Sequence, residues 1–351
     1  MKVKRTVAAA SILTAALLAL TACDPPMPPE VVAANAEATY TCIEGNSTVS
    51  APDQMTDLVI GWADSLSYSC YDPEPAMTFS QVASDQNPDL EISEYASVCK
   101  AIETVPFAVE AGVLVYMESE VNSLSISPKS LGGLLSGDIT NWKQLEADNP
   151  GYEMPDYPLS IVPTADNKAL QSITDYLKIE KVNVKNKVFV ATERPSIDLY
   201  SALEEGQVAI VPNSYAVTLG LYPAAIYKGM DAEESPILAV PDVAGIQSAS
   251  TQWVMGSSGE GITVKLDSTK IPTPPEGSDT APVPYQAIYP VNMSICNSSL
   301  LPKAVGRFLL RLDSQGALGA SNYTPIPEGV RISSLIAVSK GLPTPSPTPT
   351  E

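Results

Sequence analysis

Apolar and polar positions along this chain follow two different periods, and the switches between them predict the elements. A short positive segment (Lys2, Lys4, Arg5) precedes a mostly apolar run from Ala8 to Leu20. That run is short for a bilayer span and has the length of a signal-peptide core. Thr39 to Ile43 reads as a strand. Pro52 then stands where the first turn of a helix tolerates it, followed by Met55, Leu58, Val59, Trp62 and Leu66 at helical spacing. Ser67 to Tyr71 reads as a short strand, and Val105 to Met117 as a long apolar one. Ser127-Pro128 caps a helix carrying Leu131, Leu134 and Leu135. Leu159 to Val162 predicts a strand ending near Asp166. Leu170, Ile173 and Leu177 mark the next helix, Gln207 to Val211 a buried strand, and Val305, Phe308, Leu309 and Leu312 a late amphipathic helix. Alternation of this kind predicts an α/β fold with largely parallel sheets, in which ligands sit beyond the carboxyl ends of strands.

The apolar run ends in Leu20-Thr21-Ala22-Cys23, a lipobox pattern. Small residues fit the peptidase, and the thiol of Cys23 accepts a lipid. Residues 1–22 are therefore expected to be a lipoprotein signal peptide, and Cys23 the lipidation site on an extracytoplasmic, membrane-anchored chain of bacterial type. An uncleaved hydrophobic anchor, or a peptidase site with a chance cysteine, is the alternative. Residues 23–37 read as a proline-rich tether and residues 341–351 as a disordered Pro/Thr tail.

Charge narrows the function. Without its first 22 residues the chain keeps 17 Lys and Arg against 40 Asp and Glu, a net charge of about −23, which repels nucleic acid. The sequence contains no histidine. Ser-His-Asp and Cys-His catalysis and His-ligated zinc are thereby excluded, and with no carboxylate-pair motif in view the chain is not expected to be an enzyme. No metal or other cofactor is implied. Beyond Cys23 remain Cys42, Cys70, Cys99 and Cys296, an even number that outside the cytoplasm reads as two disulfides, with the pairing open.

Several segments resemble the phosphate-binding lipoproteins of phosphate ABC transporters. Leu135 to Lys143 (LSGDITNWK) is similar to the family's GKITNW signature, and Tyr289 to Ile295 to its YPI strand. Glu204 to Tyr215 (EEGQVAIVPNSY) resembles the PGAIGYV strand-turn, and Phe308 to Val330 its FL…GQ…LGYVPLP ending. The matches keep the family's order from about residue 40 to 340. The resemblance implies a two-lobed type II periplasmic-binding-protein fold, its lobes joined by two crossing strands near Val105–Met117 and Tyr285–Ile295. Lobe I would comprise 38–107 and 286–340, and lobe II 108–285. On that map Cys42 and Cys70 lie on neighbouring strands and pair, leaving Cys99 with Cys296. The resemblance further implies a monomer that captures a small anion, phosphate first, and presents it to an ABC permease.

The family binds its anion with loop N–H groups, hydroxyls, one arginine, and an aspartate that accepts the ligand's proton. Glu44 to Thr48 (EGNST) resembles its GAGST loop, implicating Ser47 and Thr48; helix capping by Ser47, Thr48 or Ser50 is the alternative. Thr78 to Asp85 (TFSQVASD) resembles DFGASD, implicating Ser84 and Asp85, although an Asp before Asn87-Pro88 also suits a solvated turn. Pro163 to Ala169 (PTADNKA) stands where the family has RSDGSGT. Thr164 takes the arginine position, Asp166 aligns with an aspartate, and Lys168 offers a point charge. Asp166 would equally serve as a helix N-cap. A surface lipoprotein with a vestigial cleft is the alternative function.

Overall fold

The computed structural model describes residues 39–70, 77–83, 86–259, 261–274 and 278–343, together with Val31, Ala34 and Glu37. The signal segment, Cys23, most of the tether and tail, and the candidate residues Ser84 and Asp85 lie outside the described residues. Among the described residues, no helix is long and apolar enough to cross a membrane.

Three parallel strands start the fold. β1 (Gly45–Ser50) lies between β2 (Met77–Gln81) and β3 (Leu90–Ser93), with Gly45 beside Met77 and Val49 beside Leu90. The helix Thr56–Ser69 returns the chain from β1 to β2 and buries Val59, Trp62 and Leu66. Next comes β4 (Glu103–Met117), 15 residues long, roughly 50 Å at the rise of an extended chain. Its interior is continuously buried, which only a strand covered on both faces permits. Glu110 is the one charge in that interior.

β4 serves two sheet regions. Its first part pairs antiparallel with Ile288–Ile295, from Glu103 beside Ile295 to Ala111 beside Ile288, and that strand pairs in turn with β3. From Gly112 onward β4 changes partner to Gln207–Pro212, with Met117 beside Gln207. Ser160–Ile161 adds in parallel to the latter strand. β4 therefore runs through both regions, while Ile288–Ile295 returns the chain to the first. The partner change coincides with a close approach: a Cβ at Gly112 would stand 2.3 Å from the carbonyl oxygen of Ala169. Only glycine lets the helix Asn167–Ile179 pack this near the strand.

The ITNW-like segment has a structural role. Asn141 caps the 3-10 helix Trp142–Asp148 by accepting from the Lys143 N–H, and Gln144 accepts from the Asn141 N–H. The turn seats Trp142, fully buried, against Tyr116 at 6.3 Å between ring centroids.

Several expectations need correction. Thr39–Ile43 is not a strand; the ladder begins at Gly45, and the Ile43 N–H donates to the Met77 sulfur. The described part of the expected strand Ser67–Tyr71, up to Cys70, is not a strand either, because the preceding helix runs to Ser69 and Cys70 closes it through the carbonyl of Leu66. The polar-apolar alternation there conceals helical spacing, with Leu66 and Cys70 buried and Tyr68 89% exposed. Cys42 and Cys70 thus do not sit on neighbouring strands. They are nonetheless bonded, as are Cys99 and Cys296. The late helix ends at Leu309, and Leu312 starts a separate short one. Glu37, assigned to the extended tether, is helical and pairs with Arg331. That arginine is almost fully buried and needs a counter-charge.

Candidate functional site

The parallel strands β1 and β3 end on the same side. Beyond β1 the chain turns through Ala51-Pro52 into the helix Thr56–Ser69; beyond β3 it continues as Glu94-Tyr95. Facing these ends are two segments of the second region. The strand Thr164–Asp166 leads into the helix Asn167–Ile179, and its parallel neighbour Val190–Thr192 leads into Arg194 and the short helix Asp198–Ser201. Between the two regions lies a cavity of about 370 Å³. Asp53, Glu91, Glu94 and Asp198 line it as carboxylates, with Arg194 as the lining cation.

Contacts cross this cleft. Arg194 Nη2 donates to Ser93 Oγ at 3.4 Å and lies 3.9 Å from Glu91 Oε1. Its guanidinium stands 5.2 Å from the centroid of the Tyr95 ring. The Tyr95 hydroxyl donates to Asp166 Oδ2. Asp166 Oδ1 accepts the N–H groups of Lys168 and Ala169 at 2.8 and 2.9 Å, capping its helix. Arg194 has φ of 48°, a left-handed backbone uncommon outside glycine.

A buried acidic network backs the cleft. Glu94 accepts from Tyr323 at 2.8 Å and from Tyr289 at 3.2 Å. Burial, then the charge of Asp166, pushes its carboxyl up to about 7, against the pull of the two tyrosines and Arg194. Burial raises Asp166 too, partly offset by Tyr95 and the helix N–H groups. Burial and the neighbouring Glu94 hold Glu110 well above the usual carboxylate range. Glu110 accepts the N–H groups of Ala111 and Ser214, which ties the middle of β4 to the helix Asn213–Leu219. Burial likewise raises the Tyr95 hydroxyl, helped by Asp166.

Glu91 differs from the others. It is 1% exposed. Its Oε2 accepts from the Val98 N–H at 2.9 Å and from the Ser97 hydroxyl. Its Oε1 has no hydrogen-bond partner, and Arg194 is beyond hydrogen-bond distance. Glu91 also stands near the Cys99–Cys296 sulfurs, but these are disulfide-bonded and offer no thiolate to a metal.

The loop resemblance implied a different set of residues. Ser47 and Thr48 are inside β1, not in a loop beyond it, and they serve Asp89. Asp89 precedes β3, at the opposite end of the strand from the cleft. There the donors Thr48, Asn297 and Ser47 outweigh burial and hold the Asp89 carboxyl below its usual range. Thr164 is a strand residue whose carbonyl accepts from Tyr200. Lys168 is half-buried in the first turn of its helix and does not line the cavity. Of the described candidates, Asp166 alone reaches across the cleft, through Tyr95. Glu91, Glu94 and Arg194 were missed. Arg194 had a legible signal, being the only arginine between Arg5 and Arg307.

Two sheet regions, two strand passages and a cavity at strand ends define the two-lobed fold of type II periplasmic-binding proteins. No protein-family model and no curated protein sequence matches the chain. Solved structures do. A human phosphate-binding apolipoprotein is 13% identical with a TM-score of 0.54, the match covering 84% of this chain and 93% of that one. An ancestral soluble variant of the human phosphate-binding protein gives 13% and 0.54, covering 82% and 92%. A high-affinity periplasmic phosphate-binding protein with bound phosphate gives 12% and 0.51, again over 82% and 92%. The chain is similar to these proteins in fold.

Proposed function

We propose that this chain is an extracytoplasmic solute-binding lipoprotein, anchored through Cys23, that captures phosphate or another small oxyanion-bearing solute between its lobes for an ABC permease. It acts as a receptor rather than a catalyst. Lobe I comprises 38–107 and 286–340 and lobe II 108–285; along β4 the partner changes near that boundary, between Ala111 and Gly112, with Ala108 to Ala111 still paired to lobe I. The observation that carries the reading is the cavity between strand ends, bridged by Arg194 and by the Tyr95–Asp166 bond. Groups from both sides meet there, so occupancy is coupled to lobe closure. The two disulfides suit an oxidising compartment outside the cytoplasm. The solved phosphate-binding structures of the same fold support an oxyanion as part of the ligand.

Calorimetric titration of the purified protein with phosphate, sulfate and other small oxyanion-bearing solutes tests this. One-to-one binding is expected for at least one of them. Arg194→Ala should weaken it about tenfold or more, since a charge-assisted hydrogen bond contributes about 1.5–3 kcal/mol. Flat titrations throughout would overturn the reading and leave a surface lipoprotein with a vestigial cleft in its place.

A further inference from the structure

Given a cleft that binds a solute, as proposed above, we propose that its ligand is a small zwitterion, with an oxyanion held by Arg194 and a protonated amine held by Glu91. Three observations converge. First, charge: the cavity is lined by the carboxylates Asp53, Glu91, Glu94 and Asp198 against Arg194 alone. A bare oxyanion placed there gains one cation and meets several like charges, whereas a ligand carrying its own cation alternates sign along the wall. Second, Glu91 Oε1 is a buried acceptor without a donor. Such an oxygen is costly to leave unsatisfied, and an ammonium group of a bound ligand supplies the missing hydrogen bond, and replaces the Arg194 charge when that arginine engages the oxyanion. Third, size: about 370 Å³ holds far more than a bare tetrahedral oxyanion, being the space of roughly a dozen liquid waters. It lies at the lower end of the small-molecule range.

The geometry assigns an end to each group. Arg194 Nη2 stands 3.9 Å from Glu91 Oε1 and donates to Ser93 Oγ. The Arg194 side chain is 41% exposed, so an oxyanion in the cavity can reach its guanidinium. Glu91 is fixed by Val98 and Ser97 through its other oxygen, so its free oxygen is a preorganised acceptor. Glu94, behind it, has both oxygens engaged by Tyr289 and Tyr323 and adds field rather than a direct bond.

Paired probes separate this from plain oxyanion binding: aminoethylphosphonate against ethylphosphonate, and β-alanine against propionate, with inorganic phosphate alongside. Calorimetry on the purified chain should give about tenfold or tighter binding for at least one amine-bearing member over its amine-free partner and over phosphate. Glu91→Gln, which keeps the shape, should erase that preference while binding of the amine-free partner stays level or improves. If the variant does not fold, the probe pairs on the unaltered protein still decide. Equal or tighter binding of phosphate or ethylphosphonate would overturn the zwitterion and leave solute binding standing. No binding of any probe would overturn the zwitterion, and flat titrations with sulfate and the other oxyanions as well would overturn both.

Discussion

Glu94 is the group whose removal should most change how stability depends on pH. The residue is 5% exposed, and its carboxyl accepts two tyrosine hydroxyls and faces Asp166, Glu110 and Arg194 across the cleft and the crossing strand. Folding raises its pKa from an ordinary 4.5 to about 7, with burial and then Asp166 as causes. A carboxyl raised in the native state binds an extra proton there across the window between those values. Its contribution is complete below about 4.5, fades as pH rises through 7, and is gone above. At about 1.36 kcal/mol per unit, the gap corresponds to roughly 3 kcal/mol between mildly acidic and mildly basic solution. Glu94→Gln removes the titration, retains an acceptor for one tyrosine, and offers its amide to the other's oxygen. Urea unfolding of both proteins, followed by tryptophan fluorescence between about pH 5 and pH 8, should show the native protein losing stability with pH and the variant losing markedly less. Near pH 8 the variant should equal or exceed the native protein, because a buried charge has been deleted. Parallel stability curves for the two proteins would refute the assignment of that proton to Glu94.

Two further outcomes follow from the covalent and packing geometry. Replacing Cys99 and Cys296 together by serine opens a loop with a sequence separation of 197, against 28 for Cys42 and Cys70. Chain entropy then predicts losses of about 5 and about 3.5 kcal/mol respectively. Urea midpoints of the two double variants should fall in that order, and the reverse order would overturn a loop-entropy account. Gly112→Ala puts a methyl group 2.3 Å from the Ala169 oxygen and 2.7 Å from its Cα. As these are backbone atoms, the cost should be about 2 kcal/mol or more, read as a lowered midpoint. An unchanged midpoint would mean that the helix yields without penalty.

Much of the fold was legible in the sequence because its signals are local. The Val105–Met117 run, the Ser127-Pro128 cap and the Leu170, Ile173, Leu177 stripe correspond to β4 and to the helices Pro128–Ser136 and Asn167–Ile179. Each depends on residues within a few positions of one another. The same holds for Asp166, whose capping role is set by two N–H groups just after it.

The site was legible only in part. A loop resemblance counts residues along the chain, whereas a cleft collects the ends of strands, and where a strand ends depends on its neighbours. β1 runs on to Ser50 because β2 and β3 pair beside it, which carries Ser47 and Thr48 into the sheet and onto Asp89. Glu91 and Glu94 read as ordinary acids in a short segment until Tyr289 and Tyr323, about 200 residues away, enclose Glu94. Arg194 becomes a cleft residue only when the strand Val190–Thr192 aligns with Thr164–Asp166 and directs the following turn at β3. Sequence alone thus determined most of the element types and the absence of histidine chemistry, and it carries the expectation of an export signal around Cys23. Tertiary pairing decided which carboxylates are buried together and what faces them, because burial and charge proximity are properties of the assembled sheet.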